Sequence, residues 1–283
     1  MNDPRIRDRP ALVSVVTLTK DRPDALLRAV TSVACQAGVR VQHVVIGDDC
    51  GYLSDESYRS KLLARFPGVL LRDVRAARHP ALPTGYLPAR LAYLRNLGTS
   101  LSEGEFVAQL DDDNVFGPDH LLSLVKALDA RPDAEAAHSW RRVLNPDGTP
   151  FAFEGRDPWH PVADERSLSY RRLLGFGVFV DGSNEVRDTL VADGHVVARV
   201  DTSEYLARRT LLERIPFPEV YSRWRRKLGY TEDVAFSHEL VKQKVVVVKS
   251  ERATLDYYLG GYSNLDISAQ HSHSAGTVDE EVA

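Results

Sequence analysis

Apolar residues fall in short blocks along the first half of the chain, and the blocks alternate between two periods. Residues 12–18 (LVSVVTL) are rich in β-branched side chains, as in a strand buried on both faces. Pro23 suits a first helical position, and Leu26, Val30, Val33 and Ala37 then recur at helical spacing up to Gly38. The alternation continues, with strands expected at 41–46, 69–74 and 106–110 and helices at 57–65, 88–101 and 118–130. Strands alternating with helices predict a mostly parallel sheet covered on both faces. The second half is less regular. Residues 136–143 read as a strand, 145–148 (NPDG) as a turn, 151–185 as loop and short strands, and 196–201 as a strand. Helices are expected at 203–214 and 231–243, and an apolar strand at 245–249.

Aspartates gather where the predicted strands end. Asp21, Asp48, Asp49 and the run Asp111-Asp112-Asp113 each lie just past such a block, where sheets of this kind collect ligands. Three adjacent carboxylates are costly without a positive partner. Alternation along a strand would turn Asp111 and Asp113 to the same side. Two hard oxygen ligands there suit Mg²⁺ or Mn²⁺, bound through one or two carboxylates plus substrate phosphates. In isolation a solvated turn, or a helix N-cap before Pro118, is the better explanation of the run; the shared position of all six aspartates reverses that and favours a site.

Two further stretches carry chemistry. Thr231 suits an N-cap, and Glu232 and Asp233 suit a first helical turn, yet a carboxylate there also suits a general base. Residues 221–227 (YSRWRRK) offer Trp224 as a stacking face and cations for phosphate, or else a solvated basic helix face.

At 283 residues the chain can bury a substantial core, as one large domain or one with an appendage. A net charge of -4 argues against a nucleic-acid binder that works by bulk charge. Cys35 and Cys50 have neither metal-ligand spacing nor the density of a disulfide scaffold, so they read as reduced. The first ten residues lack an apolar signal-peptide core, and no apolar run is long enough to span a membrane. A cytoplasmic protein without integral membrane association is therefore expected. No heptad pattern speaks to oligomeric state.

Four motifs, in order, resemble glycosyltransferase family 2. Residues 13–23 (VSVVTLTKDRP) resemble the family's first strand and turn, and 45–49 (VIGDD) its second strand with a closing aspartate pair. Residues 95–98 (RNLG) followed by 104–113 (GEFVAQLDDD) resemble its Arg-Asn-x-Gly helix and Asp-x-Asp metal motif. Residues 217–219 (FPE) and 229–233 (GYTED) resemble its acceptor-side segment and Glu-Asp motif. The resemblance covers about residues 12–245. It implies an α/β GT-A fold: a single Rossmann-like, mostly parallel sheet flanked by helices, with a smaller mixed acceptor-side half. The corresponding division is a flexible 1–10, a nucleotide-sugar-binding half at 11–135, an acceptor-binding and catalytic half at 136–259, and a lid or tail at 260–283. Two departures stand out: Lys20-Asp21 replaces a frequent Tyr-Asn pair, and Cys50-Gly51 replaces a small Gly-Ser. The processive Gln-x-x-Arg-Trp motif does not follow Asp233, so a polymer synthase is not expected.

The resemblance implies a hexosyltransferase-like enzyme with a nucleoside-diphosphate sugar donor, Mn²⁺ or Mg²⁺, and a glycan or small-molecule acceptor. Asp113, with Asp111 nearby, would hold the metal against the charge gained by the leaving diphosphate. Asp111 reaching the ribose instead is an open alternative. Asp233 is the candidate base, with Glu232 second, and a single carboxylate base implies inversion by single displacement. Thr19, Asp21, Asp48, Asp49, Arg95 and Asp112 are donor-side candidates, and Trp224 and Tyr230 acceptor-side ones. The family often supplies a late histidine to the metal, which nominates His271 and His273. Two other readings compete. A sugar-phosphate nucleotidyltransferase would need a glycine-rich loop after the first strand, where residues 19–23 (TKDRP) have none. A non-catalytic carbohydrate- or nucleotide-binding protein could retain the same fold.

Overall fold

The first strand, β1 (Leu12–Thr19), lies inside the sheet, and every residue after Leu12 is buried. The computed structural model describes residues 9–75 and 85–260. Two strand–helix units follow β1: α1 (Pro23–Ala34), β2 (Arg40–Asp48), α2 (Glu56–Arg65) and β3 (Val69–Val74). Helix α3 (Leu87–Ser100) leads into β4 (Phe106–Asp111), β5 (Val115–Phe116), α4 (His120–Ala130) and β6 (Ala136–Leu144). The remainder supplies α5 (Arg166–Gly175), β7 (Glu185–Val186), β8 (Thr189–Ala192), β9 (His195–Arg199), β10 (Tyr205–Arg208), α6 (Arg209–Arg214), α7 (Arg223–Lys227), α8 (Glu232–Lys242) and β11 (Val247–Tyr258).

The main sheet has the order β3-β2-β1-β4-β10-β6-β11-β5, with β7 beside β6. Strands β3, β2, β1 and β4 are parallel, as is the β6–β11 pair; β10 runs antiparallel between β4 and β6. Side-chain alternation sorts the strands' residues onto two faces. Val16, Leu18, Val44 and Ile46 join Leu94, Leu211 and Phe236 in one core. Val13 and Val15 join Ala29, Val33, Phe106, Leu121 and Leu124 in the other. Each fully buried Leu or Val in these layers contributes roughly 1.5–3 kcal/mol. Gly98 lets α3 lie tight on β1, because a Cβ at that position would collide with Val16. That approach carries Arg95, one turn earlier, toward the carboxyl end of the sheet.

The doubly covered, mostly parallel sheet matches the expectation, and three second-half elements do not. Residues 203–214 are not one helix. Thr202–Glu204 form a 3-10 turn, Tyr205–Arg208 a strand, and only Arg209–Arg214 a helix. Pairing with β4 and β6 on both sides overrides the local helical pattern. Residues 166–175, expected as loop or short strand, form α5. The strand expected at 245–249 begins at Val247 and runs to Tyr258, with register shifts after Lys249 and after Ala253. The strand expected at 196–201 pairs with β8 in a separate hairpin.

Candidate functional site

The carboxyl ends of β1, β2 and β4 open into a cleft of about 680 Å³. Thr19, Asp48, Arg95, Asp111, Asp112, Asp113, Tyr230, Glu232 and Asp233 all line it. Strand β4 stops at Asp111, and Asp112 and Asp113 lie in a turn, so strand alternation does not govern them. The run is instead divided between two arginines. Asp111 Oδ1 accepts from Arg95 Nη2 at 2.7 Å. Asp113 Oδ2 accepts from Arg22 Nη1 at 2.6 Å, and Asp112 pairs with the same guanidinium. Burial pushes Asp112 up to about 7, against the pull of Arg22, and raises Asp113 as well.

Arg95 ties the two ends of the cleft together. Its side chain is 2% exposed, and Nη2 also donates to Glu232 Oε1 at 3.0 Å. Burial alone would lower its pKa, but Asp111 and Glu232 raise it. Burial in turn pushes Glu232 up to about 7, against Arg95. The next residue, Asn96, donates to the Phe217 carbonyl at 2.9 Å and to Glu219 Oε1 at 2.7 Å, and accepts from Phe217 N at 2.9 Å. One helical dipeptide therefore holds both the end of β4 and the segment leading to α8. Glu232 faces Arg95, whereas Asp233 remains partly exposed on the cleft wall. Thr231 makes no side-chain cap; its hydroxyl donates to Asp233 Oδ1, which also accepts from Val234 N at 2.8 Å.

The other sequence candidates separate. Thr19 Oγ1 lies 2.5 Å from the Tyr52 hydroxyl. Asp48 accepts from Arg90 Nε at 2.6 Å. Asp21 and Asp49 are exposed turn residues with φ of 52° and 55°, off the cleft lining. Trp224 is 64% exposed on α7 and also off the lining. His271 and His273 lie outside the described residues. Sequence reasoning gave no role to Arg22, Arg90, Arg141 or Asp201, all of which line the cleft. Arg22 reaches Asp112 and Asp113 from the turn after β1, a pairing that nothing in the local sequence marks. The signal for Arg141 and Asp201 appears only when β6 and the turn before β10 are brought together.

Among the described residues no group of three or more His, Cys, Asp or Glu side chains is arranged to cage a metal ion. Asp111 and Asp113, with side chains 30% and 19% exposed, fit a different mode: a hard cation held by one or two carboxylates and completed by phosphate oxygens.

No family model matches the chain. Among curated proteins it is 31% identical over 130 residues to the succinoglycan biosynthesis protein ExoO of Rhizobium meliloti, covering 46% of this chain and 33% of that one. It is 27% identical over 136 residues to protein CgeD of Bacillus subtilis, covering 47% and 30%. The matches thus span a third or less of these relatives. Two solved structures superpose over nearly the whole chain. A mannosyltransferase, PcManGT from Pyrobaculum calidifontis, in complex with GDP-Man and Mn²⁺, has a TM-score of 0.58 at 15% identity, covering 99% of this chain and 67% of that one. TarS 1–349 of S. aureus in complex with UDP has a TM-score of 0.56 at 17% identity, covering 95% and 67%. The chain shares the fold of these two glycosyltransferases. Among the described residues no helix is long and apolar enough to cross a membrane.

Proposed function

We propose that this chain transfers a sugar from a nucleoside-diphosphate sugar to an acceptor hydroxyl, by single displacement with inversion. The observation that carries the reading is the Arg95 bridge, which joins a leaving-group end, Asp111–Asp113, to an acceptor end, Glu232 and Asp233, across one cleft. The UDP complex of TarS and the GDP-Man and Mn²⁺ complex of the mannosyltransferase support a nucleotide-sugar donor and a divalent ion.

Asp233 accepts the proton of the acceptor hydroxyl as that oxygen bonds to the anomeric carbon. The bond from that carbon to the diphosphate breaks with its electron pair leaving on the diphosphate. Asp233 suits this task better than Glu232, whose carboxylate is committed to Arg95. Arg22 and Lys20 offer cations to the diphosphate from the turn after β1. Asp113 and Asp111 are the residues that would hold Mn²⁺ or Mg²⁺, which when bound offsets charge on the leaving oxygen. In this reading Asp48 and Thr19 would contact the nucleoside and Tyr230 the acceptor; all three line the cleft. The acceptor class is a glycan or small molecule.

The test is nucleoside-diphosphate release from a panel of UDP-, GDP- and dTDP-hexoses with candidate acceptors, for the wild type and Asp233→Asn. The variant should lose about 10²- to 10⁴-fold in kcat and keep its donor affinity. Full activity in Asp233→Asn would remove Asp233 as the base. Donor binding without turnover by the wild type would favour a non-catalytic binding protein.

A further inference from the structure

We propose that Asp201 is a specificity-determining residue for the transferred sugar, and that this sugar is a neutral hexose presenting free vicinal hydroxyls. The inference rests on the transferase reading and deepens it. In a single displacement the transferred ring must lie between the leaving diphosphate and the attacking hydroxyl, so between Asp111–Asp113 and Asp233. Asp201 and Thr202 line the same cleft as Asp111 and Asp233.

Its position is fixed from several sides. Ser203 Oγ accepts from the backbone N–H of Asp111 and from Asn114 Nδ2, each at 3.2 Å, which fastens the turn to the end of β4. Asp201 caps that turn: Oδ1 accepts from Ser203 N at 2.9 Å, while its own N–H donates to Glu204 Oε2 at 2.8 Å. Oδ2 lies 3.3 Å from Arg141 Nη1. Arg141 is itself held, packing against the rings of Trp159 and Tyr257 at 4.7 and 4.9 Å and pairing with Asp188 at 2.9 Å. The result is a carboxyl whose orientation is set before substrate arrives, 12% exposed on the cleft wall.

A fixed carboxyl accepts hydrogen bonds from two neighbouring hydroxyls. When ionised it has no hydrogen to donate to a uronate and repels that second negative charge. Selection is therefore expected both by attraction to a diol and by rejection of an acidic sugar.

The experiment compares wild type, Asp201→Asn and Asp201→Ser, the serine retaining an oxygen that can cap the turn. Calorimetric titrations with UDP, GDP and dTDP, and with UDP-glucose, UDP-glucuronate and GDP-mannose, give the contribution of the sugar separately from that of the nucleotide. The wild type should prefer UDP-glucose or GDP-mannose to the bare diphosphate and should discriminate against UDP-glucuronate. Both variants should bind the bare diphosphate within about twofold of wild type and lose about 10- to 100-fold of the neutral sugar's advantage, the worth of hydrogen bonds to a charged group. Asp201→Asn should also narrow the gap between UDP-glucose and UDP-glucuronate. Unchanged sugar discrimination, or a parallel loss of diphosphate binding and melting temperature, would overturn this role while leaving the transferase reading intact. A wild type that binds none of the diphosphates would overturn both.

Discussion

The guanidinium of Arg95 lies 3.0 Å from the carboxylate of Glu232, 137 residues away in sequence, and both side chains are buried. The contact joins the helix before β4 to the first turn of α8, so it sets the width of the cleft between the donor-side and acceptor-side carboxylates. Removing one partner of a buried ion pair strands the other, at a cost of about 3–5 kcal/mol. Arg95→Met should lose stability of that order in urea denaturation. Arg95→Met with Glu232→Gln should recover much of it, because the carboxylate then left without its arginine, Asp111, is 30% exposed. A loss below about 1 kcal/mol, the range of a surface pair, would mean that the bridge does not form.

Arg22 offers the second test. It pairs with both Asp112 and Asp113, so any cation arriving at Asp113 must share or displace it. Arg22→Gln should strengthen Mn²⁺ binding to the nucleotide-free protein, on the order of tenfold for a unit charge removed at contact distance. It should also weaken UDP or GDP binding in the absence of metal. Titration calorimetry reads both effects. Weaker Mn²⁺ binding in the variant would remove Arg22 as a competitor at this position.

Stability should also respond to acid through buried histidines. Burial pushes His43 and His120 down to about 3 and His138 down to about 4. A depressed folded-state pKa gives stability that is present above the unfolded value, near 6.5, and lost as the pH falls toward the folded value. At pH 5 the loss is about 2 kcal/mol for each such group. The raised carboxyls Glu232, Asp112 and Asp201 act in the opposite sense, gaining stability as the pH falls from about 7. The clean readout is therefore a difference. His43→Gln should have a shallower fall in stability from pH 7 to 5 than the wild type. An identical slope would mean that His43 titrates normally in the folded state.

The parallel half of the sheet was legible because its inner strands β1 and β4 are buried on both faces, and 12–18 and 106–110 therefore read as largely apolar runs. Strand β10 was hidden because four apolar-rich residues before Arg209 fit either period, and only the neighbours β4 and β6 decide between them. Helix α5 was hidden by its polarity: of its ten residues only Tyr170 and Leu173 are buried, which leaves little periodic signal. In the site, Asp48 and Asp111–Asp113 declared themselves by position at strand ends, whereas Asp21 and Asp49, read the same way, lie off the cleft. The arginine partners in the site did not, since Arg22, Arg90 and Arg141 reach the carboxylates from other elements. Arg95 was marked by its motif, but whether it faced solvent or the carboxylates depended on Gly98 bringing α3 against Val16.

The central claim is that this cleft holds a nucleoside diphosphate beside Asp111–Asp113. The most direct measurement is thermal stabilisation of the full chain by UDP, GDP, dTDP, ADP and CDP, each with and without Mn²⁺. A ligand that binds only the native state, at a hundred times its Kd, adds about 2.7 kcal/mol of stability. One diphosphate should raise the melting temperature well above the others, with a larger shift in the presence of Mn²⁺, and Asp113→Asn should abolish the metal-dependent part. No shift with any diphosphate, with or without metal, would contradict the account.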